Sequence, residues 1–299
     1  MDMKVISVDE LERSLGDLSP AEKREVWIEK YGTTELEKLS KARALVNPRN
    51  GYVYDVVSNR YALIQHKDAF KPVLETLKTM GKNQVRAEFI QNKGRAWMSI
   101  VFPETTINDG QDGIEMGIQM KNSYESGMSL QITSTRSYYE GRFLTFFGYR
   151  RVCSNGMMVR VPWTEINKGA KVDEIRKEYV TEKEVGLGSF STRIWHSGSS
   201  EKKMEQISRI VKTLTDCIPY IQTLVDKARQ HHLEPEEASK MLEGIGLGKR
   251  MVEKVMKLYA NDEQSRFGLY NSVTYYASHN AKTPMQVETQ LLQASRLLV

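Results

Sequence analysis

Four arginines and a tyrosine lie between positions 141 and 164, in a stretch that contains no acidic residue. They are Arg142, Tyr149, Arg150, Arg151 and Arg160. Guanidinium groups bind phosphates and aromatic rings stack on unpaired bases. This combination is typical of proteins that bind single-stranded nucleic acid with little sequence preference. The five residues are therefore candidates for nucleic-acid contacts.

The aromatic residues of the same stretch have a second interpretation. Phe143, Phe146 and Phe147 are of the type that fills a hydrophobic core. If they do so, only the arginines and Tyr149 remain to reach solvent. The two interpretations differ in how much of the stretch faces water.

A second candidate phosphate site follows the glycine-rich connection Gly-Ile-Gly-Leu-Gly at residues 244–248. Lys249 and Arg250 come directly after it, at the start of a predicted helix. The segment resembles a helix-hairpin-helix element, in which a glycine turn directs backbone N–H groups at a phosphate. Val252 stands where alanine is common in that element, and the chain has no second copy. The alternative is an ordinary glycine turn between packed helices, with Gly248 at its left-handed position.

Residue types that perform catalysis or hold metals lack the spacing that such sites need. His231 and His232 are adjacent, so on a helix they point about 100° apart instead of sharing a face. The polar segment 108–113 resembles a calcium loop, but Gln119 stands where a bidentate Glu is needed. Cys153 has no histidine near it in sequence that could act as its base. The sequence predicts a protein that is not an enzyme and needs no cofactor.

Composition limits the partners and the compartment. The 299 residues include 43 Lys and Arg against 38 Asp and Glu, a formal charge of +5 that permits a nucleic-acid partner without requiring one. Two cysteines, Cys153 and Cys217, lack metal-type spacing and indicate free thiols in a reducing compartment. No membrane span or signal peptide is recognisable, which predicts a cytoplasmic protein.

The arginine-rich stretch itself predicts a β-hairpin. Strand-forming residues precede Asn155-Gly156, a pair that suits a tight type I′ turn with Gly156 at positive φ. Apolar side chains fall on both alternating faces of the first arm, which favours a central strand covered on both sides. With strands predicted at 61–65, 85–91, 95–102, 114–121 and 128–135, this indicates an antiparallel sheet.

Helical patterns lie on both sides of the sheet region, so the fold class is predicted to be α+β. Residues 1–50 predict a helical segment with helices at 8–18, 20–31 and from 33 or 34 to 45. Residues 51–185 form the sheet domain, with one helix at 67–80. Residues 186–299 predict a helical region packed on it, with helices at 201–230, 235–242, 249–259, 266–279 and 284–298. A further helix is predicted at 172–184.

Five segments together carry a family resemblance. They are Arg60-Tyr-Ala-Leu-Ile-Gln, Gly94-Arg-Ala-Trp-Met, Asn122-Ser-Tyr, Arg151-Val-Cys-Ser-Asn-Gly-Met and Leu269-Tyr-Asn-Ser-Val-Thr-Tyr-Tyr-Ala-Ser-His. Over residues 50–285 the chain resembles the phage and plasmid-like family catalogued as domain of unknown function nine-three-two. The resemblance implies a protein of a mobile element and brings no established catalytic residues.

Charge pattern and resemblance together lead to one functional hypothesis and one alternative. The first is a non-enzymatic nucleic-acid-binding protein of a phage or plasmid, in its sharper form a factor that binds or anneals single-stranded DNA in recombination. The alternative is an assembly factor without nucleic-acid contact, which meets other proteins through its N-terminal segment. Either one is compatible with a homo-oligomer.

Overall fold

The computed structural model describes residues 3–61, 63–111, 113–125, 130–132, 143–162, 193–194 and 200–299. Within these residues the chain forms an eight-stranded antiparallel sheet, a three-stranded sheet and seven α-helices. The predicted α+β class is confirmed. The helix predicted at 172–184 lies outside the described residues.

The N-terminal part of the chain is mainly β-structure. A first strand and a short helix are followed by three strands that form the smaller sheet in the order β2-β3-β4. The elements are β1 (Lys4–Ser7), α1 (Val8–Ser14), β2 (Glu22–Glu29), β3 (Leu36–Val46) and β4 (Val53–Ser58). Only α1 agrees with the predicted helical segment over residues 1–50, which is otherwise wrong.

Long-range contacts explain why the helices predicted at 20–31 and 33–45 do not form. The backbone N–H of Ser19, the residue directly before the helix predicted at 20–31, donates to Gln91 Oε1 (2.9 Å). Leu45 on β3 is fully buried in a cluster around Tyr124. Local helix signals contribute only tenths of a kcal/mol per residue, so strand pairing and this burial override them.

The larger sheet contains the remaining strands. Its main path runs β1-β5-β6-β7-β8-β11, while β9 pairs with both β7 and β10. The strands are β5 (Gln84–Asn92), β6 (Arg95–Ile107), β7 (Ile114–Ser123), β8 (Leu130–Ile132), β9 (Phe143–Arg150), β10 (Asn155–Pro162) and β11 (Arg193–Ile194). The expected strands at 85–91, 95–102 and 114–121 are confirmed. The described residues of segment 61–65 are not a strand; Tyr61 and Leu63 pack beside Tyr124.

Six longer helices pack on the larger sheet or on one another. They are α2 (His66–Thr79), α3 (Ser200–Gln230), α4 (Pro235–Gly244), α5 (Lys249–Tyr259), α6 (Arg266–Asn280) and α7 (Pro284–Ala294). One continuous hydrophobic core joins α2 and the C-terminal helices to the face of β6 that carries Met98 and Ile100. Val101 points to the opposite face, where it packs with Met3, Phe147 and Tyr149. In the described residues, no helix has the length and apolar character required to cross a membrane.

Candidate nucleic-acid interface

The predicted hairpin exists, but its turn lies earlier than expected. β9 and β10 pair from Phe143↔Pro162 to Arg150↔Asn155, so residues 151–154 form the loop. Gly156 lies within β10 opposite Tyr149, and Ser154 has the positive φ of 49°. The prediction of a turn at Asn155-Gly156 is therefore wrong.

Contacts with α6 explain this position of the turn. Asn155 is fully buried. Its Nδ2 donates to Thr274 Oγ1 at 2.8 Å and to Asn271 Oδ1 at 3.3 Å. The N–H of Gly156 donates to Ser278 Oγ at 2.9 Å. These bonds hold the Asn-Gly pair in a strand and outweigh its local preference for a turn.

Three of the five candidate residues in the hairpin are buried in the sheet. Arg150 is 2% exposed, and its Nε lies 2.7 Å from Asp109 Oδ2. Arg150 also donates a hydrogen bond to the side chain of Gln111. Tyr149 and Arg160 are buried as well. A buried guanidinium needs a charged partner, and Asp109 serves Arg150 in this way. These three side chains do not present a surface to a phosphate backbone.

The remaining two hairpin candidates differ from each other. Arg151 is exposed, and its Nε lies 3.3 Å from Oε1 of the buried Glu115. A second arginine, Arg86, lies 2.9 Å from Oε2 of the same carboxylate. Glu115 thus partly neutralises the charge of Arg151. Arg142 lies outside the described residues.

The glycine turn before α5 ends one helix and begins the next. Gly246 has a φ of 87°, and the N–H of Leu247 donates to the carbonyl of Leu242 at 3.2 Å, which is the bond of a Schellman C-cap. Gly248 is the extended N-cap residue of α5, and it makes no side-chain cap. The first N–H groups of a helix have no partner within it. At α5 they lie beside Lys249 and Arg250.

A basic groove begins at this helix N-terminus. Arg250, Lys254 and Lys257 recur at the spacing that places side chains on one helix face, opposite the buried Val252 and Val255. A groove of about 560 Å³ is lined by these three cations together with Met251, Glu253, Tyr276 and Gln290. In the part of the chain that the structure describes, no acidic side chain forms an ion pair with Lys249 or with the three cations.

Aromatic groups accompany these charges. Lys254 Nζ lies 5.9 Å from the ring centroid of Tyr276 on α6. One position earlier, the exposed Tyr275 lies 4.4 Å from the His279 ring, measured between centroids. The groove therefore offers cations for phosphates and an aromatic ring for a base.

Sequence reasoning identified Lys249 and Arg250 and missed the rest of the groove. Lys254 and Lys257 could have been found, because they follow Arg250 at i+4 and i+7 on a predicted helix. Tyr276 could not, since only the packing of α6 against α5 brings it to the groove.

Other polar features of the chain have structural roles. Asp109 Oδ1 accepts hydrogen bonds from the N–H groups of Gln111 (3.0 Å) and Gly113 (2.9 Å), so the described residues of segment 108–113 belong to a hydrogen-bonded polar turn. Both cysteines are free thiols. Burial raises the pKa of the Cys217 thiol to about 12, which makes it unreactive near neutral pH. Across the described ranges, no cluster of three His, Cys, Asp or Glu side chains could hold a metal ion.

Comparison with known proteins gives no further assignment. No family model matches the chain, and no curated protein or solved structure matches it either. The resemblance to the phage and plasmid-like family rests on its five short segments alone.

Proposed function

We propose that this chain is a non-enzymatic nucleic-acid-binding protein and that the basic groove along α5 is its contact surface. The observation that carries the proposal is the alignment of Arg250, Lys254 and Lys257 in one groove with Tyr276. Glu253 also lines the groove, but among the described residues it forms no ion pair with these cations, which are therefore available to neutralise phosphates. The uncapped N-terminus of α5 adds backbone donors at the end of the groove.

Single-stranded DNA is the favoured ligand. A base stacks on an aromatic ring only when it is unpaired, and the groove presents Tyr276 beside Lys254. The binding is sequence-tolerant, because cations and a ring recognise features that all nucleotides share. The setting we propose is the cytoplasm of a cell that carries a phage or plasmid, with annealing or recombination as the process. The mobile-element part of this proposal comes from the family resemblance.

The first test removes the two cations at the start of α5. Lys249→Ala combined with Arg250→Ala should weaken binding to single strands of any sequence, because two phosphate contacts are lost. The thermal midpoint should stay nearly unchanged, since removing exposed charges usually alters stability by less than about 0.5 kcal/mol. Fluorescence anisotropy with two unrelated oligonucleotides and a thermal melt measure both quantities.

The matched control for this test is Lys240→Ala on α4. Lys240 is also exposed, but it pairs with Glu236 at 2.9 Å and lies outside the groove. The Lys240→Ala variant should therefore bind DNA with the affinity of the wild type. If the wild type and the double variant bind single-stranded DNA with equal affinity, the groove is rejected as the DNA-binding surface. A wild-type chain that is not retained on single-stranded DNA at low salt would favour the alternative, a protein-assembly factor.

A further inference from the structure

Exposed apolar side chains are concentrated on the three-stranded sheet. Thirteen large apolar residues are exposed in the described part of the chain, and seven of them lie between positions 27 and 56. The seven are Trp27, Ile28, Tyr31, Leu36, Tyr52, Val53 and Val56. Trp27 is 52% exposed, although tryptophan is highly buried on average. Exposed apolar side chains on a strand are a feature that protein interaction surfaces share.

The outer edge of this sheet is open. β2 lies at the edge in the order β2-β3-β4. The backbone N–H and C=O of Ala21 are both bound by the side chain of Gln65, at 3.0 and 2.7 Å, and Lys23 Nζ donates to the carbonyl of Tyr61, so the start of the strand is held on the main body. An open edge offers a row of backbone donors and acceptors to another strand.

β2 is uninterrupted along this edge. The pairing of β2 with β3 is irregular between Glu25↔Arg43 and Trp27↔Lys38. In that interval β2 contributes one residue, Val26, and β3 contributes the four residues 39–42. The extra residues therefore lie in β3, and β2 continues without a break from Glu22 to Glu29.

We propose that β2 pairs antiparallel with β2 of a second copy of this chain, with a two-fold axis at Val26. In this register Glu22 of one copy lies opposite Lys30 of the other, and Lys23 lies opposite Glu29. By symmetry each pair occurs twice. Opposite charges directly across an antiparallel pair stabilise it. The exposed Trp27 and Ile28 lie at the centre of the interface.

The charge pattern of β2 favours this register over those shifted by one or two residues. A shift by one residue places Glu22 opposite Glu29 in one direction and Lys23 opposite Lys30 in the other. A shift by two residues places Glu25 opposite its own copy in one direction and opposite Glu29 in the other. Like charges directly opposite each other destabilise a strand pair. The register centred on Val26 contains no such pair.

The same surface is poorly suited to nucleic acid. Residues 22–38, which contain β2, its turn and the start of β3, include five acidic and four basic residues. A segment without positive excess has little attraction for phosphates. A second copy, by contrast, supplies both signs of charge at matching positions, as a two-fold symmetric interface requires.

A charge-swap experiment on the full chain tests this interface. The wild type should have the mass of a dimer in sedimentation analysis at micromolar concentration. Glu29→Lys should halve that mass, because the introduced lysine would then face Lys23 of the other copy. The double variant Lys23→Glu with Glu29→Lys should restore the dimer, since the opposite charges are exchanged. Glu37→Lys, the same substitution one strand away from the edge, should remain dimeric.

Three results would overturn the proposal: a monomeric wild type, a dimeric Glu29→Lys variant, or failure of the swap to restore the dimer. Loss of DNA binding by Glu29→Lys at unchanged mass would also overturn it, because the surface would then belong to nucleic acid. This test of the dimer is independent of the nucleic-acid proposal, because Lys249→Ala with Arg250→Ala should leave the mass of the dimer unchanged.

Discussion

Some charged side chains of the larger sheet are buried in complementary pairs. Arg150 meets Asp109, and Lys121 Nζ lies 3.3 Å from Glu288 Oε2. A charge withdrawn from water is stable only when a partner compensates for the lost hydration. The hairpin arginines that would suit a phosphate surface are therefore partly used inside the protein.

Removing one member of such a pair should be costly. Asp109→Ala removes the carboxylate that lies 2.7 Å from the buried guanidinium of Arg150, and the expected loss of stability is about 3–5 kcal/mol. Arg151→Ala removes an exposed partner of Glu115, which keeps Arg86, and should cost less than about 1 kcal/mol. Urea unfolding of both variants measures the difference. Similar losses for the two variants would contradict the distinction between buried and exposed arginines.

Residue type alone could not separate these arginines. Arg150 and Arg151 are neighbours in the sequence, yet Arg150, the last residue of β9, meets Asp109 and is buried, while Arg151, the first residue of the loop, is exposed. The deciding partner lies 41 positions earlier in the chain. Sequence reasoning identified the hairpin and its charge, but exposure depends on tertiary contacts that no local pattern reports.

At the scale of elements, helices with local signals were predictable and the N-terminal strands were not. α6 begins where Ser265 Oγ accepts from the N–H of Gly268 at 3.0 Å, and α7 begins at Thr283, which caps Gln286 in the same way. β2 and β3 carry helix-forming residues as well. Their conformation depends on pairing with each other and with β4, which is a non-local effect.

The turn between α4 and α5 gives a prediction at this scale. The left-handed residue is Gly246, not Gly248, which corrects the expectation from sequence. Gly246→Ser should cost about 1–3 kcal/mol because serine is strained at positive φ. Gly248→Ser should be neutral or slightly stabilising, because the site is extended and serine is a good N-cap.

Thermal or urea unfolding of the two serine variants tests this assignment, with the same substitution two positions apart as an internal control. A larger loss at Gly248 would place the strained position at the start of α5. It would also weaken the description of that N-terminus as an open site for phosphate.

At the scale of the whole molecule, the charges have separate locations. The net charge of +5 is not spread evenly. Arg150 and Lys121 of the larger sheet are paired inside the protein, the three-stranded sheet carries mixed charge beside exposed apolar groups, and α5 presents a row of cations. The α+β class and most C-terminal helices follow from local patterns. The separation of surfaces does not, because it depends on how the elements pack.

The most direct test of the nucleic-acid proposal is the salt dependence of binding to single-stranded DNA. The slope of log K against log salt should become shallower by about 1.4 in Arg250→Ala with Lys254→Ala, about 0.7 for each lost phosphate contact. The control replaces Lys71 and Lys240, two exposed lysines that pair with acidic residues four positions away, and should keep the wild-type slope. A groove variant with the wild-type slope would contradict the assignment of the basic groove as the nucleic-acid surface.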